Sequence, residues 1–425
     1  MTSKPSHVQW TKFAWWMVIL CLILIGRVAI VQQYVAIHND ETHYTIDGMW
    51  ARAKLPLTQV LWDLLYNHIH PHPFYNPDTE RIGHHGKLLS GFPKPKSNLG
   101  PHPRTGHPSL YMLILGPLFT LFDQAWLIGK GSVYVGRAVS AVFDTLGWLF
   151  FLDAMRRLVG ARIALAITAA VFLWPYTFVL GALAYLDSLG TFFVNLSLWY
   201  YVSRVRHSTT LRQWALLGVL VGFSILSKQS NLIAIPPLLS VILIAPPRMT
   251  WQRIIFATFC SFIAMLVTVS ILCNPVGLYT ETLHAEDPDM NIRVTPDIVW
   301  HRLILPFSPK DHYHFGERRH GGWDNKPPPV RSKLMLKIYE ITTPAFFLVF
   351  YLAAIYSVVR RKWKPLLLFL IVISLLAYIP MGSCMRRAYV LIPFATLVIA
   401  LAIRDVCDLR RGAIQSNHSC PKPAH

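Results

Sequence analysis

The fifteen residues PSLYMLILGPLFTLF, positions 108–122, decide how the rest of this chain is threaded. The stretch is apolar throughout but short, because a helix needs about 20 residues to cross ~30 Å of hydrocarbon. Counted as a span, it would reverse the sidedness of every link that follows. Read instead as an amphipathic or re-entrant helix at the interface, it lets all later links fall into a consistent pattern.

Working outward, ten apolar runs are expected to span: 13–31, 137–154, 162–180, 189–203, 213–227, 231–246, 254–273, 339–359, 366–381 and 388–403. With the N-terminus in the cytoplasm, the links on that face carry Arg156, Arg157 and Arg162, then Arg204, Arg206 and Arg212, then Arg248 and Arg253. Arg360, Arg361, Lys362 and Lys364 follow, and finally Arg404, Arg410 and Arg411. This is the positive-inside pattern at every turn. The two long segments, 32–136 and 274–338, then lie outside the cytoplasm, and loops beyond ~60 residues escape the charge rule. Residues 404–425 read as a cytoplasmic tail of what is otherwise a single transmembrane domain over 1–425.

Composition agrees. Of 425 residues, 53% are hydrophobic and only 14% charged, against about a quarter charged in soluble domains; the mean hydropathy is +0.40. The net charge of +19 gathers at the ends of apolar runs rather than in a basic domain with interleaved aromatics, so no nucleic-acid partner is expected. The six cysteines form no C-x-x-C pair and indicate neither a disulfide framework nor a zinc site. The first apolar run exceeds a signal-peptide core and lacks a small-residue cleavage pattern, so it is read as a retained helix. The fold class is therefore an all-α polytopic membrane protein.

Chemistry-bearing residues collect at one level. The first span exits into Asn39-Asp40-Glu41-Thr42-His43-Tyr44, where adjacent carboxylates are costly unless wet or partnered. Asp187 precedes the fourth span, Arg137 opens the second, Lys228 sits in a tight turn, and Arg386 and Arg387 precede the last. Each alone is an ordinary helix cap or interfacial anchor. Together they would share one outer surface. Asp144, in the middle of the second span, calls for a partner that the sequence does not name.

The order of these pieces resembles the GT-C superfamily of polyprenyl-phosphate-sugar-dependent glycosyltransferases. It is most similar to the protein O-mannosyltransferase group and the related lipid A aminoarabinose transferases. The resemblance rests on Asp40-Glu41-Thr42-His43-Tyr44, Gly106-His107-Pro108-Ser109-Leu110-Tyr111, Gly136-Arg137-Ala138-Val139-Ser140, Tyr185-Leu186-Asp187, Gly222 to Gln229, and Arg387 to Pro393. Ser109 stands where the family often has a second proline, and the large lumenal domain of eukaryotic members has no counterpart in this chain.

The resemblance implies a GT-C-like bundle and transfer of a sugar, with inversion, from a polyprenyl phosphate to a hydroxyl on the extracytoplasmic face. It implies Asp40 as the base that activates the hydroxyl and Glu41 as an orienting partner. His43, Tyr44, His107 and Asp187 would line the substrate cavity, and Arg137, Lys228, Arg386 and Arg387 would neutralise the leaving phosphate. Donor sugar and acceptor stay open: mannose or aminoarabinose for the one, and protein, lipid or glycan for the other. A bacterial inner membrane fits better than the endoplasmic reticulum.

No cofactor is firmly implied. A divalent metal is left open by the histidines at 68, 70, 72, 84, 85, 312, 314 and 320, whose simpler reading is solvated loop side chains. Asp287-Pro288-Asp289 is a D-x-D in an outer loop without a nucleotide-binding pattern, so nucleotide-sugar use is disfavoured. A transporter or lipid-linked-sugar flippase is the alternative from another class, but no inverted repeat supports it.

Overall fold

A computed structural model describes residues 7–35, 110–123, 126–127, 131–272, 299–300, 303–308, 330–378 and 385–418. The described residues form helices: α1 (His7–Tyr34), α2 (Leu110–Phe119), α3 (Ser132–Val159), α4 (Ala161–Leu173), α5 (Pro175–Leu180) and α6 (Leu186–Ser203). After them come α7 (Leu211–Ser227), α8 (Ile235–Ile244), α9 (Trp251–Leu272), α10 (Lys333–Val359), α11 (Trp363–Tyr378) and α12 (Ile392–His418). Every expected span falls on one or two of these helices, and the protein is an all-α polytopic membrane protein. Four stretches, Ser132–Val159, Trp251–Val269, Lys333–Val359 and Ala388–Arg411, are long and apolar enough to cross a membrane on their own measure. Leu20–Tyr34, Ala161–Leu173, Leu211–Ser227, Asn231–Ile244 and Trp363–Ala377 are shorter apolar helices.

The differences from the expected spans have local causes. The run 162–180 breaks into α4 and α5 because Pro175 brings no N–H and pushes Trp174 into extended backbone (φ −60°, ψ 129°). The run 231–246 begins as a tight 3-10 turn, Gln229–Ala234, before Pro236 and Pro237 open α8. The helix that carries the last span runs on past residue 403: α12 continues to His418. There Arg404 pairs with Asp408 at 3.6 Å, at helical spacing.

The short apolar segment that governs the threading is α2, ten residues long. That is about 15 Å, half the hydrocarbon thickness. Its buried residues Tyr111, Leu115 and Phe119 repeat every fourth position and face the bundle; α2 packs on α3 and α7.

The core of the bundle is α3–α6–α7–α9, each packed on the next. Between α7 and α9 the backbones meet at Gly218, where a Cβ would overlap the Ser261 carbonyl oxygen. Small residues permit such close approach where van der Waals packing drives helix association. Gly218→Ala should therefore cost about 1–3 kcal/mol by overpacking, read as a lowered thermal midpoint in detergent. Gly26→Ala, where a Cβ meets nothing within 4 Å, should be neutral or stabilising. Equal effects of the two would remove the close-packing explanation.

Candidate functional site

Two buried ion pairs are built into the bundle. The first forms where α7 ends. Lys228 leaves the helix in extended backbone (φ −162°, ψ 124°) and begins the 3-10 turn. Its ammonium donates to Asp187 Oδ1, and both side chains are 7% exposed. Asp187 stands in the first turn of α6, where the positive helix end favours a carboxylate. Asn231 donates from Nδ2 to the Ser224 carbonyl at 2.9 Å and from its backbone N–H to the Lys228 carbonyl at 3.0 Å. Ser224 Oγ reaches the Gly190 carbonyl at 3.2 Å. Asp187 and Lys228, expected at one level from the sequence, thus meet directly.

A second 3-10 turn, Met385–Leu391, packs against α6 and against the Gln229–Ala234 turn. It carries Arg386 and Arg387, so their backbone lies beside the elements that hold the Asp187–Lys228 pair. Their side chains are outside the described residues, as are Asp40, Glu41, His43, Tyr44 and His107.

Arg137 is fully buried. Its Nη1 donates to the carbonyls of Val31 and Val35, each at 3.1 Å. Val31 stands in the last turn of α1, where its carbonyl also accepts from the Val35 N–H at 3.0 Å, and Val35 is the first residue beyond the helix, so the guanidinium serves as a charged cap at the helix end. The same end is tied by an isolated antiparallel bridge between Val35 and Val330 and by the Arg331 N–H to the Tyr34 carbonyl at 2.7 Å. The chain is therefore fixed in position immediately before Asp40 and Glu41. Nearby, Tyr111 of α2 donates to the Gly136 carbonyl at 2.9 Å and lies 2.9 Å from Ser140 Oγ, which fixes the start of α2 beside Arg137.

The second ion pair answers the question posed by Asp144. Arg27 Nη2 lies 2.8 Å from Asp144 Oδ2, with both side chains at 0% exposure. The guanidinium also donates to Thr145 Oγ1 at 3.1 Å, to the Thr177 carbonyl at 2.8 Å and to the Phe178 carbonyl at 2.9 Å. The rings of Phe172 and Phe178 flank it at 5.0 and 5.4 Å. On the other carboxylate oxygen, Tyr389 donates at 2.5 Å, and Trp148 Nε1 reaches the Tyr389 hydroxyl at 3.4 Å. Gly181 makes this possible, since a Cβ there would overlap both Asp144 and Arg27.

Sequence reasoning gave Arg27 no role and quoted Tyr389 only within a motif. The available signal was an arginine inside the first apolar run, facing an unexplained aspartate inside the second.

Among the described residues no group of three or more His, Cys, Asp or Glu gathers as a metal site. The histidine clusters and Asp287 with Asp289 lie outside them.

Residues 113–273 match the family described as dolichyl-phosphate-mannose-protein mannosyltransferase. The match runs from α2 through α9 and takes in Arg137, Asp144, Asp187 and Lys228. A curated relative is undecaprenyl phosphate-alpha-4-amino-4-deoxy-L-arabinose arabinosyl transferase 1 of Pseudomonas fluorescens (strain Pf0-1). It is 28% identical over 199 residues, which is 44% of this chain and 32% of the relative. The chain thus matches about a third of that protein's length. The resemblance to GT-C glycosyltransferases stands on these two matches. Among solved structures, ArnT from Cupriavidus metallidurans bound to undecaprenyl phosphate is similar at a TM-score of 0.48 and 15% identity, over 92% of this chain and 60% of that one.

Removing one member of a buried pair strands the other's charge, at about 3–5 kcal/mol, whereas replacing both with apolar groups is often neutral. Asp144→Leu should therefore lower the thermal midpoint steeply, and adding Arg27→Met should restore most of it. If the double variant unfolds no later than the single one, charge pairing is not what holds these helices.

Proposed function

We propose that this protein is an integral-membrane glycosyltransferase that moves a sugar from a polyprenyl phosphate to a hydroxyl acceptor, at the end of the bundle where Asp187 and Lys228 meet. The observation that carries this reading is the buried Asp187–Lys228 pair, with the Arg386–Arg387 turn packed beside it. The family match over residues 113–273 supports it, as does the printed activity of the Pseudomonas relative.

A phosphate leaving group needs its growing charge neutralised, and fixed cations in a site of low dielectric do this at little reorganisation cost. Lys228 is positioned for that task, held by Asp187 until an anionic headgroup shares it. Arg386 and Arg387 complete the clamp. Arg137 contributes by fixing the end of α1, from which the chain leads on towards Asp40 and Glu41. Asp40 takes the proton from the acceptor hydroxyl and Glu41 orients the reacting groups. His43, Tyr44 and His107 line the sugar pocket.

The donor is an aminoarabinose- or mannose-type sugar on a polyprenyl phosphate, and the acceptor is a lipid, glycan or protein of the envelope. The bacterial source of the relative supports an inner-membrane location.

Purified protein in nanodiscs, given a panel of polyprenyl-phosphate sugars and acceptors, should release polyprenyl phosphate only when both substrates are present. Asp40→Asn should lower turnover by about 10²–10⁴. Lys228→Gln should lower kcat by about 10²–10³, the scale of one lost charge-stabilising donor. Full transfer by Asp40→Asn would remove the base assignment. Movement of intact lipid-linked sugar without release would mark a flippase instead.

A further inference from the structure

At the opposite end of α7 from Lys228, the bundle has a feature that the transfer reaction does not use. Although α8 and α9 are consecutive, α9 packs along α7 and α8 packs on α11. The cleft left between them has a volume of about 460 Å³ and is lined by Leu239, Leu243, Trp251 and Ile255, with Leu367 and Ile371 of α11. A smaller space of about 90 Å³ continues it inward to Trp214 and Met265, sharing Leu239, Ile242 and Thr258. The Ser240 hydroxyl in the lining is already bonded to the Pro237 carbonyl at 2.7 Å. The depth of the cleft therefore suits hydrocarbon and offers little to a polar group.

Its mouth is different. The links 204–212 and 245–253 carry Arg204, Arg206, Arg212, Arg248 and Arg253 and no Asp or Glu. The two links are joined by the Arg248 N–H to the Arg206 carbonyl at 3.3 Å. None of the five arginines pairs with a carboxylate among the described residues. At the same end of the bundle, Lys362 lies 3.0 Å from Asp405, and Arg156 and Arg157 lie 2.6 and 2.8 Å from Asp153.

We propose that a diacyl phospholipid with an anionic headgroup occupies this cleft, one acyl chain between α8 and α9 and its phosphate between Arg206 and Arg248 of the joined links. Basic pockets between helices at a charged membrane face recognise such headgroups. The site is distinct from the donor's, because α8 separates its mouth from Lys228. Its occupancy fills the gap between α8 and α9 and steadies the helix that begins beside Lys228.

The test uses the full chain, delipidated in detergent and titrated with phosphatidylglycerol or phosphatidylcholine under native mass spectrometry. Phosphatidylglycerol should bind more tightly. R206Q with R248Q should weaken it about tenfold while leaving phosphatidylcholine unchanged. Ile255→Trp, at a position 68% exposed and therefore tolerant of a larger side chain, should fill the cleft and weaken both. Equal phosphatidylglycerol binding by wild type and both variants would reduce the cleft to ordinary lipid contact. Displacement of phosphatidylglycerol by equimolar polyprenyl phosphate would assign the cleft to the donor's chain and overturn the proposal.

Discussion

The architecture depends on an arginine and an aspartate buried inside a membrane bundle. Arg27 and Asp144 bring α1 against α3, and Tyr389 brings the turn before α12 to the same carboxylate. The first and last long helices are thereby joined through one ion pair. Charge in hydrocarbon is tolerated only when partners replace water. Here Arg27 makes four hydrogen bonds to side chains and carbonyls. Two of those carbonyls, Thr177 and Phe178, belong to α5, the short helix created by the break at Pro175. The break and the ion pair are therefore parts of one arrangement, and Gly181 supplies the room.

Much of this was legible in the sequence, and the rest was hidden for identifiable reasons. The spans followed from apolar run length, and the rejection of residues 108–122 as a span agrees with the ten-residue α2. Asp144 was recognisable as a buried charge in need of a partner. Its partner lies 117 positions away in the chain, and periodicity within one helix says nothing of which face another helix presents. Arg137 was recognisable as a cation at a helix start, but not as a cap on α1, because that depends on how two helices cross. The break at Trp174 was in principle readable from Pro175, yet continuous hydrophobicity on either side masked it. Helix α12 runs on past residue 403 because charge ends an apolar run without ending a helix, and no Gly or Pro interrupts residues 404–411. Of the candidate site, Asp187 and Lys228 were legible as neighbours in level, and the structure makes them neighbours in contact.

The two ion pairs differ in their surroundings. Arg27 and Asp144 sit mid-helix at zero exposure, enclosed by bonds from four elements, and any ligand would have to break that network to reach them. Lys228 and Asp187 sit where helices end. Around them gather the Gln229–Ala234 turn and the Met385–Leu391 turn, which pack against each other, and the short α5 packs on the second of these. Backbone that leaves the helix at membrane depth has unsatisfied groups, and is tolerated only where protein buries it or where it lines a polar cavity. Such breaks carry an energetic cost, so two of them meeting beside a Lys–Asp pair is difficult to explain by packing alone. Straight helices would bury the same apolar area more simply. What the breaks provide is a place where an ammonium and a carboxylate meet at the ends of α7 and α6. The mid-helix pair holds that place in position by anchoring the Met385–Leu391 turn through Tyr389.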